Sequence, residues 1–203
     1  MSGTCSHEQC SSSMRIVASG LRAILLPFMG LLLTGCPEDP LDSLSLLCYC
    51  PVDEAWSADA TDLEEKALLL INRRRARAQD CGPEGFFPPA PALVMNESLR
   101  CAARNHARDM AIRHFFDHIN PDGETPQDRL VCARYDAVSS AENIAQGRET
   151  AEIVVNDWMN SSMHCRNLMN PRFEEIGVGL YEDGNMWTLE MAIARDESEQ
   201  TID

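Results

Sequence analysis

The chain has 203 residues, of which 44% are hydrophobic, so it is long enough for one domain with a sizeable core and a terminal extension. Its formal charge of −15 argues against nucleic acid as a partner, because nucleic-acid-binding proteins neutralise phosphates with lysine and arginine. The same acidity would repel an anionic lipid surface, so charge cannot attach this chain to a membrane.

The N-terminus predicts an export signal. Arg15 and Arg22 supply positive charge, and an apolar run follows at 23–33. A run of about 11 residues suits the apolar part of a signal peptide and is too short for a membrane-spanning helix, which needs roughly 20. The alternative is a buried core helix. Residues 1–13 precede this signal, and we interpret them as the product of a start codon placed before Met14.

The apolar run ends at Leu33-Thr34-Gly35-Cys36, which resembles the lipobox of bacterial lipoproteins. In that family the signal is cut before the cysteine, and the cysteine is acylated. The resemblance therefore implies an N-terminal extension and signal peptide at 1–35 and a lipid on Cys36. Cleavage removes two arginines and one glutamate and leaves a formal charge of about −16, so the lipid must hold the protein at the envelope.

A tether and a first helix follow. Residues 36–60 are rich in proline and acidic residues and predict a lipidated tether, which Cys48 and Cys50 are expected to pin to the domain. Thr61 and Glu64 have the spacing of a capping box, so a helix is predicted to begin at Thr61. The domain is expected to span 61–194, with an acidic tail at 195–203.

The next segment predicts a loop and a second helix. Four prolines within 83–91 predict the loop, and Asn96 has the side chain of a helix N-cap. His106 lies on the apolar stripe of that helix and is expected to be a core histidine. The opposite stripe is expected to be a solvated face, and it consists of Arg100, Arg104 and Arg108.

The second half of the domain predicts two further helices and a hairpin. Asn120-Pro121-Asp122-Gly123 is typical of a turn, Thr125-Pro126 opens a short helix, and Thr150 caps another. Apolar residues then alternate from Ile176, and 182–185 predicts the turn of a hairpin. Helices followed by a hairpin predict an α+β fold with helices packed on an antiparallel sheet.

Cysteine usage favours disulfides. With Cys36 acylated, six cysteines remain in the exported chain, an even number that allows 15 connectivities. Zinc binding is the alternative, although no zinc-ribbon spacing is present. Cys48 and Cys50 are too close in sequence to pair with each other. The six candidates are Cys48, Cys50, Cys81, Cys101, Cys132 and Cys165.

Several ordered pieces of the chain resemble the CAP superfamily, which comprises cysteine-rich secretory, antigen 5 and pathogenesis-related proteins, in its bacterial SCP-like form. The pieces are Leu70-Ile71-Asn72-Arg73-Arg74-Arg75, Ala107-Arg108-Asp109-Met110, Phe115-Phe116-Asp117-His118, Pro121-Asp122-Gly123-Glu124-Thr125-Pro126 with Arg129, Ala141-Glu142-Asn143-Ile144-Ala145-Gln146-Gly147, Trp158 to His164, Asn167 to Pro171, Ile176-Gly177-Val178-Gly179 and Met186-Trp187-Thr188. The resemblance covers about 61–194 and implies an α-β-α sandwich with a central antiparallel sheet.

The resemblance also implies a cleft lined by two histidines and two glutamates. His118 matches the first histidine and Glu142 the first glutamate. The other two positions carry Ser161 and Met186, so half of that tetrad is missing. His164 lies three residues after Ser161 and is expected to project into the same cleft.

A histidine and a carboxylate in one cleft permit three kinds of chemistry. His118, His164 and Glu142 are candidate ligands of a divalent metal such as zinc. His118 and Glu142 are instead candidate catalytic groups for acid/base hydrolysis. They can also simply hydrogen-bond and hold loops in place. His114 and His118 have the spacing of a helical metal pair, but the segment between them is expected to leave the helix.

Two functions of different class are compatible with these residues. The incomplete tetrad favours a non-enzymatic binding module at the cell envelope, on the extracytoplasmic side of the outer or cytoplasmic membrane. Its partner would be a lipid, a glycan or an envelope protein. The alternative is a metal-assisted or acid/base hydrolase that acts on peptides or cell-wall material.

Overall fold

The computed structural model describes residues 56–195. The predicted signal peptide, Cys36, Cys48, Cys50, most of the tether and nearly all of the acidic tail lie outside the described residues. Among residues 56–195, no helix combines the length and the apolar character needed to cross a membrane.

The described residues contain five α-helices, six strands and one 3-10 turn. The helices are α1 (Ala58–Arg75), α2 (Glu97–Arg113), α3 (Pro126–Cys132), α4 (Ala151–Asn160) and α5 (Ser162–Met169), with the 3-10 turn at Gly82–Glu84. The strands are β1 (Gln79–Asp80), β2 (Phe86–Phe87), β3 (Val94–Met95), β4 (Ala137–Ala145), β5 (Glu175–Tyr181) and β6 (Met186–Ala194).

Local capping signals place most helix starts. Asn96, Thr125 and Thr150 each accept a backbone N–H in the first turn of the helix that follows, as predicted. The prediction for α1 was wrong. This helix begins at Ala58, and Ser57 is its N-cap. Glu64 is therefore inside the helix, where tertiary contacts occupy its carboxylate.

The main sheet has the order β3-β5-β6-β4. β5 and β6 form the predicted antiparallel hairpin, and β4 pairs antiparallel with β6. β3 adds a short parallel pairing at one edge, through Val94 and Glu175. The sheet is thus antiparallel apart from that edge.

Helices cover both faces of the sheet. Trp187, Leu189 and Met191 of β6 belong to a core cluster with residues of α1, α4 and α5. The alternate β6 residues Met186 and Ala192 pack with residues of α2, with α3 contributing beside Ala192. Because successive strand residues face opposite sides, β6 separates two helical layers. The predicted α-β-α sandwich is confirmed.

Two glycines of β5 allow α2 to lie directly on the sheet. A Cβ on Gly177 would come within 2.0 Å of the backbone carbon of Leu99, and one on Gly179 within 2.4 Å of the Arg104 nitrogen. Real Cβ contacts are never this short, so hydrogen is required at both positions. This close approach places the side chains of α2 against β6.

The prediction of a solvated arginine stripe on α2 was wrong. Arg100 is 7% exposed, and its guanidinium bonds the fully buried Glu64 carboxylate. Arg104 bonds the same carboxylate at 2.6 Å, and the Leu180 N–H donates to it at 3.0 Å. A buried acid on α1 needs charged partners, and α2 supplies them from this stripe.

Four of the candidate cysteines are described. Cys81 and Cys165 form a disulfide with a Cα–Cα distance of 5.5 Å, which joins the β1–β2 segment to α5. Cys101 and Cys132 are also disulfide-bonded. All four cysteines are therefore oxidised, as the disulfide interpretation predicts.

Candidate functional site: a histidine held by a buried glutamate

Glu142 lies at the centre of the candidate site. It is on β4, is 8% exposed, and is directly opposite Glu190 of β6 in the sheet register. Facing residues of an antiparallel pair project to the same side of the sheet. The two carboxyl groups therefore lie together on the α2 face.

The two oxygens of Glu142 have different partners. Oε1 is 2.6 Å from Nδ1 of His118, and Oε2 accepts from Nη2 of Arg129 at 2.7 Å. The same Arg129 nitrogen donates to the backbone carbonyl of His118 at 2.9 Å. One guanidinium thus fixes both the carboxylate and the backbone of the histidine it holds.

The loop that carries His118 is itself well anchored. Helix α2 ends at Arg113, with His114 as a left-handed C-cap, so His114 and His118 do not share a helix, as expected. Asn120 accepts the N–H groups of Asp122 and Glu124, which forms the predicted turn. The chain is therefore anchored both before and after His118, which fixes the position of this residue.

His118 is the exposed member of this group. Its side chain is 47% exposed, whereas that of Glu142 is 2% exposed. The hydrogen bond with Glu142 raises the pKa of His118, while partial burial opposes that effect. Nδ1 faces Glu142, so Nε2 is the ring nitrogen left for a ligand.

Glu190 is fully buried and lacks an ordinary hydrogen-bond donor. No N–H or O–H group of the described residues donates to either of its oxygens. Burial raises the pKa of Glu190 well above its usual value, and the negative charge of Glu142 raises it further. We conclude that Glu190 is the neutral acid of the pair and that its own proton bonds Glu142.

Glu142 is the ionised partner. Burial alone would raise its pKa, but the hydrogen bonds from His118 and Glu190 and the positive charge of Arg129 lower the pKa to about 2. One proton shared between two buried carboxyl groups removes most of their repulsion. The site therefore carries one buried negative charge, and it is placed under His118.

His106 completes the buried part of the site. As predicted it is a core histidine, 1% exposed, and its Nε2 lies 3.0 Å from the Asp117 carbonyl oxygen. Nε2 is also 4.0 Å from Oε1 of Glu142, a proximity that the sequence pattern does not indicate. Burial lowers the pKa of His106, more than the nearby carboxylate raises it. A neutral ring that donates to Asp117 fits this geometry.

A surface cavity of about 460 Å³ is lined in part by Phe116, two residues before His118, although His118 itself does not line it. Ser161 and His164 line it together with Phe116, Trp158 and the ion pair of Arg148 and Asp157. Burial lowers the pKa of His164, and the positive charge of His118 lowers it further.

Met186 and Glu142 do not line this cavity. Met186 is 5% exposed and packs with Ala107, Met110 and Ile144 under α2. Glu142 lies beneath His118, which it holds. Of the five predicted cleft residues, the structure thus places two, Ser161 and His164, on the lining of the cavity, and His118, Glu142 and Met186 do not line it.

The predicted metal ligands are not arranged as a metal site. Within the described residues no group of three or more histidine, cysteine, aspartate or glutamate side chains is placed to hold a metal ion. Glu142 already contacts the cationic Arg129 and Nδ1 of His118, which makes it an orienting group. The metal set His118, His164 and Glu142 therefore does not fit this arrangement, and metal binding stays a prediction.

The shared proton predicts an unusual pH dependence of stability. Because its folded pKa is raised above about 4.5, Glu190 contributes fully to stability below that pH and loses this contribution as the pH rises towards the folded pKa. Glu190→Gln keeps a neutral donor, so we expect the free energy of unfolding of the wild type to fall relative to the variant by up to about 1.4 kcal/mol per pH unit. Urea unfolding between about pH 5 and pH 8 measures this difference.

The control for that measurement is Glu182→Gln, which makes the same substitution at an exposed turn position. It should leave the pH profile of the wild type unchanged. If the free energies of unfolding of the wild type and of Glu190→Gln change with pH in parallel, Glu190 is not protonated in the folded protein.

The fold and this site define an SCP-like domain, a three-layer sandwich in which a histidine is hydrogen-bonded to a buried glutamate of the sheet. The family model described as the cysteine-rich secretory protein family, CAP, matches residues 88–191. This span is half of the chain, and it includes His118, Glu142 and Glu190. The chain belongs to that family.

Relatives and solved structures agree with this membership. The chain is 37% identical over 125 residues to the uncharacterized protein YkwD of Bacillus subtilis and 28% identical over 128 residues to the uncharacterized membrane protein YlbC of the same organism. These matches span 62% and 63% of this chain but 45% and 34% of the relatives, so the chain matches less than half the length of each.

Two solved structures show the same fold. An extracellular protein containing an SCP domain from Bacillus anthracis superposes with a TM-score of 0.57 at 24% identity, covering 68% of this chain and 44% of that one. An outer surface protein from Borrelia burgdorferi superposes with a TM-score of 0.52 at 20% identity, covering 68% of this chain and 93% of that one.

Proposed function

We propose that this protein is an exported, lipid-anchored binding module whose ligand contacts Nε2 of His118 in the cleft. The observation that carries the proposal is the fixed orientation of a half-exposed histidine. Nδ1 of His118 is held at 2.6 Å by a buried carboxylate, and Arg129 holds that carboxylate in turn. Such a ring is prepared to bind a ligand without rearrangement.

The envelope location rests on the N-terminal sequence. The lipobox-like segment before Cys36 supports a lipid anchor, and the cysteines at 81, 101, 132 and 165 support an oxidising compartment, since all four are disulfide-bonded. The proposed ligand is a lipid, a glycan or a protein of the envelope. Ser161 and Met186 occupy the positions where the resemblance implies a glutamate and a histidine. His118 is therefore left with a single ionised carboxylate, which favours binding over catalysis.

A hydrolase is the second candidate, and one observation favours it. A carboxylate hydrogen-bonded to Nδ1 of an imidazole is the arrangement by which enzymes orient a general base. In that case Nε2 of His118 would take a proton from water or from a substrate hydroxyl group. Ser161 and His164 at the cavity would then contact the substrate rather than provide a nucleophile.

A substitution that removes Nε2 and preserves Glu142 tests the proposal. His118→Asn retains an amide that can bond Glu142, so the fold should be maintained. We expect this variant of the exported protein to lose at least about tenfold in affinity for the component it binds, about 1.4 kcal/mol. The measurement is equilibrium binding to a panel of phospholipid vesicles, peptidoglycan fragments and envelope-protein peptides.

His114→Asn is the matched control, because His114 is an exposed C-cap in the left-handed conformation that asparagine tolerates. It should bind like the wild type. If the wild type converts panel members with multiple turnovers and His118→Asn abolishes that conversion, the hydrolase is correct and the binding module is wrong.

A further inference from the structure

Two disulfide-bonded cysteines lie on neighbouring helices of one layer. Cys101 is in the second turn of α2, and Cys132 is the last residue of α3. Both are disulfide-bonded. One apolar cluster surrounds both cysteines, and it contains Leu99 and Ala102 of α2, Leu130 of α3 and Ala133, which follows α3. Both cysteines therefore belong to the same region of the surface.

The described part of the chain does not provide separate partners for them. Residues 56–195 contain four cysteines, and Cys81 and Cys165 are bonded to each other. With Cys36 acylated, the exported chain has two further cysteines, Cys48 and Cys50. These two are separated by one residue, and their Cα atoms lie no more than about 7 Å apart, so they are suited to bond two neighbouring targets rather than each other.

The position of Trp56, the first described residue, places Cys50 within reach of α2. The ring of Trp56 lies 5.0 Å from the guanidinium carbon of Arg104, which is three residues beyond Cys101 on α2. One helical turn is about 5.4 Å. Cys50 lies six positions before Trp56, and an extended chain of that length spans about 20 Å. Cys50 can therefore reach Cys101 from the position of Trp56.

We propose that the N-terminal tether is stapled to the α2–α3 layer by two disulfides, in which Cys48 and Cys50 bond one each of Cys101 and Cys132. For each bond, two thiols become one S–S bond and lose two electrons and two protons. A disulfide-bearing oxidant of the extracytoplasmic compartment accepts them by thiol–disulfide exchange and becomes a dithiol.

The surface near Cys132 exposes apolar side chains that suit the apolar end of the tether. Val131 precedes Cys132 and is 64% exposed, and Val138 at the start of β4 is 52% exposed. The apolar residues 44–47 come directly before Cys48. The segment 44–50 is therefore the occupant we assign to this surface. The staple does not depend on what the cleft binds, so it stands apart from the proposed function.

Tryptic mapping of the full exported protein under non-reducing conditions tests the staple directly. The arginines of the chain release Cys101 in the peptide 101–104 and Cys132 in the peptide 130–134, whereas Cys48 and Cys50 remain together in the peptide that ends at Lys66. We expect one cluster of these three peptides, which separates on reduction. A species made of 101–104 and 130–134 alone would overturn the proposal, and so would free thiols at these positions.

A paired substitution gives an independent readout. Cys48→Ser with Cys50→Ser should expose two alkylatable thiols, located at Cys101 and Cys132, where the wild type has none. Cys81→Ser with Cys165→Ser is the matched control, and it should leave 101–104 and 130–134 in the three-peptide cluster. If the first variant gains no thiols because Cys101 and Cys132 are bonded to each other in the wild type as well, the staple is wrong.

Discussion

Replacing Arg129 with methionine is expected to lower the free energy of unfolding by about 3–5 kcal/mol, because it leaves a buried carboxylate without its cation. Arg129 is 4% exposed and donates to Glu142 and to the carbonyl of His118. Methionine fills most of the volume and removes the charge, these two hydrogen bonds and the third hydrogen bond, to the Glu124 carbonyl. Urea unfolding at neutral pH measures the loss.

Arg113→Met is the control for this prediction. Arg113 also bonds a carboxylate at 2.6 Å, that of Asp122, but this pair is at the surface. Solvent screens such a pair, so its removal should change stability little. Adding Glu142→Gln to Arg129→Met should recover part of the loss, because the unpaired charge is then absent. Equal effects of the two arginine substitutions would contradict the importance of burial.

Replacing Gly177 with alanine is expected to destabilise the domain by at least about 3 kcal/mol, at the upper end of overpacking effects. The added Cβ would lie 2.0 Å from the Leu99 backbone carbon and 2.2 Å from the Arg100 nitrogen. Backbone atoms of a packed helix cannot rotate away as a side chain can. Helix α2 must therefore move off the sheet, and His106 moves with it.

Gly123→Ala separates this clash from backbone strain. Gly123 has a φ of 88°, and a Cβ there meets nothing within 4 Å. Its substitution should cost roughly 1 kcal/mol from conformational strain alone. Thermal unfolding of both variants compares the two effects. If Gly177→Ala is no more destabilising than Gly123→Ala, the close approach of α2 to β5 does not limit the packing.

Local signals predict the helices better than they predict the strands. Asn96, Thr125 and Thr150 cap helices because the capping bond involves neighbours in sequence. β4 has the sequence AVSSAENIA, with few β-branched residues, and its strand conformation comes from pairing with β6. That pairing is a long-range contact, so the local pattern of β4 does not reveal it.

The candidate site also combines residues that the sequence indicates with residues that only the fold brings together. His118, Glu142 and Ser161 follow from the resemblance, and His164 follows from its place in the bacterial form of the family, three residues after Ser161. Glu190 is absent from the predicted site because its role depends on sheet register, although a single carboxyl group in the otherwise apolar run of 186–194 is a usable signal. The arginines opposite His106 were interpreted as solvated because periodicity reports the face of a helix and not what covers it.

The chain of bonds from Arg129 through Glu142 to His118 has a consequence for binding entropy. Immobilising a side chain on association costs about 0.5–1.5 kcal/mol. The ring of His118 is already immobilised in the free protein, so a ligand that reaches Nε2 does not incur this cost. The advantage corresponds to a factor of roughly two to ten in affinity and does not require any additional contact.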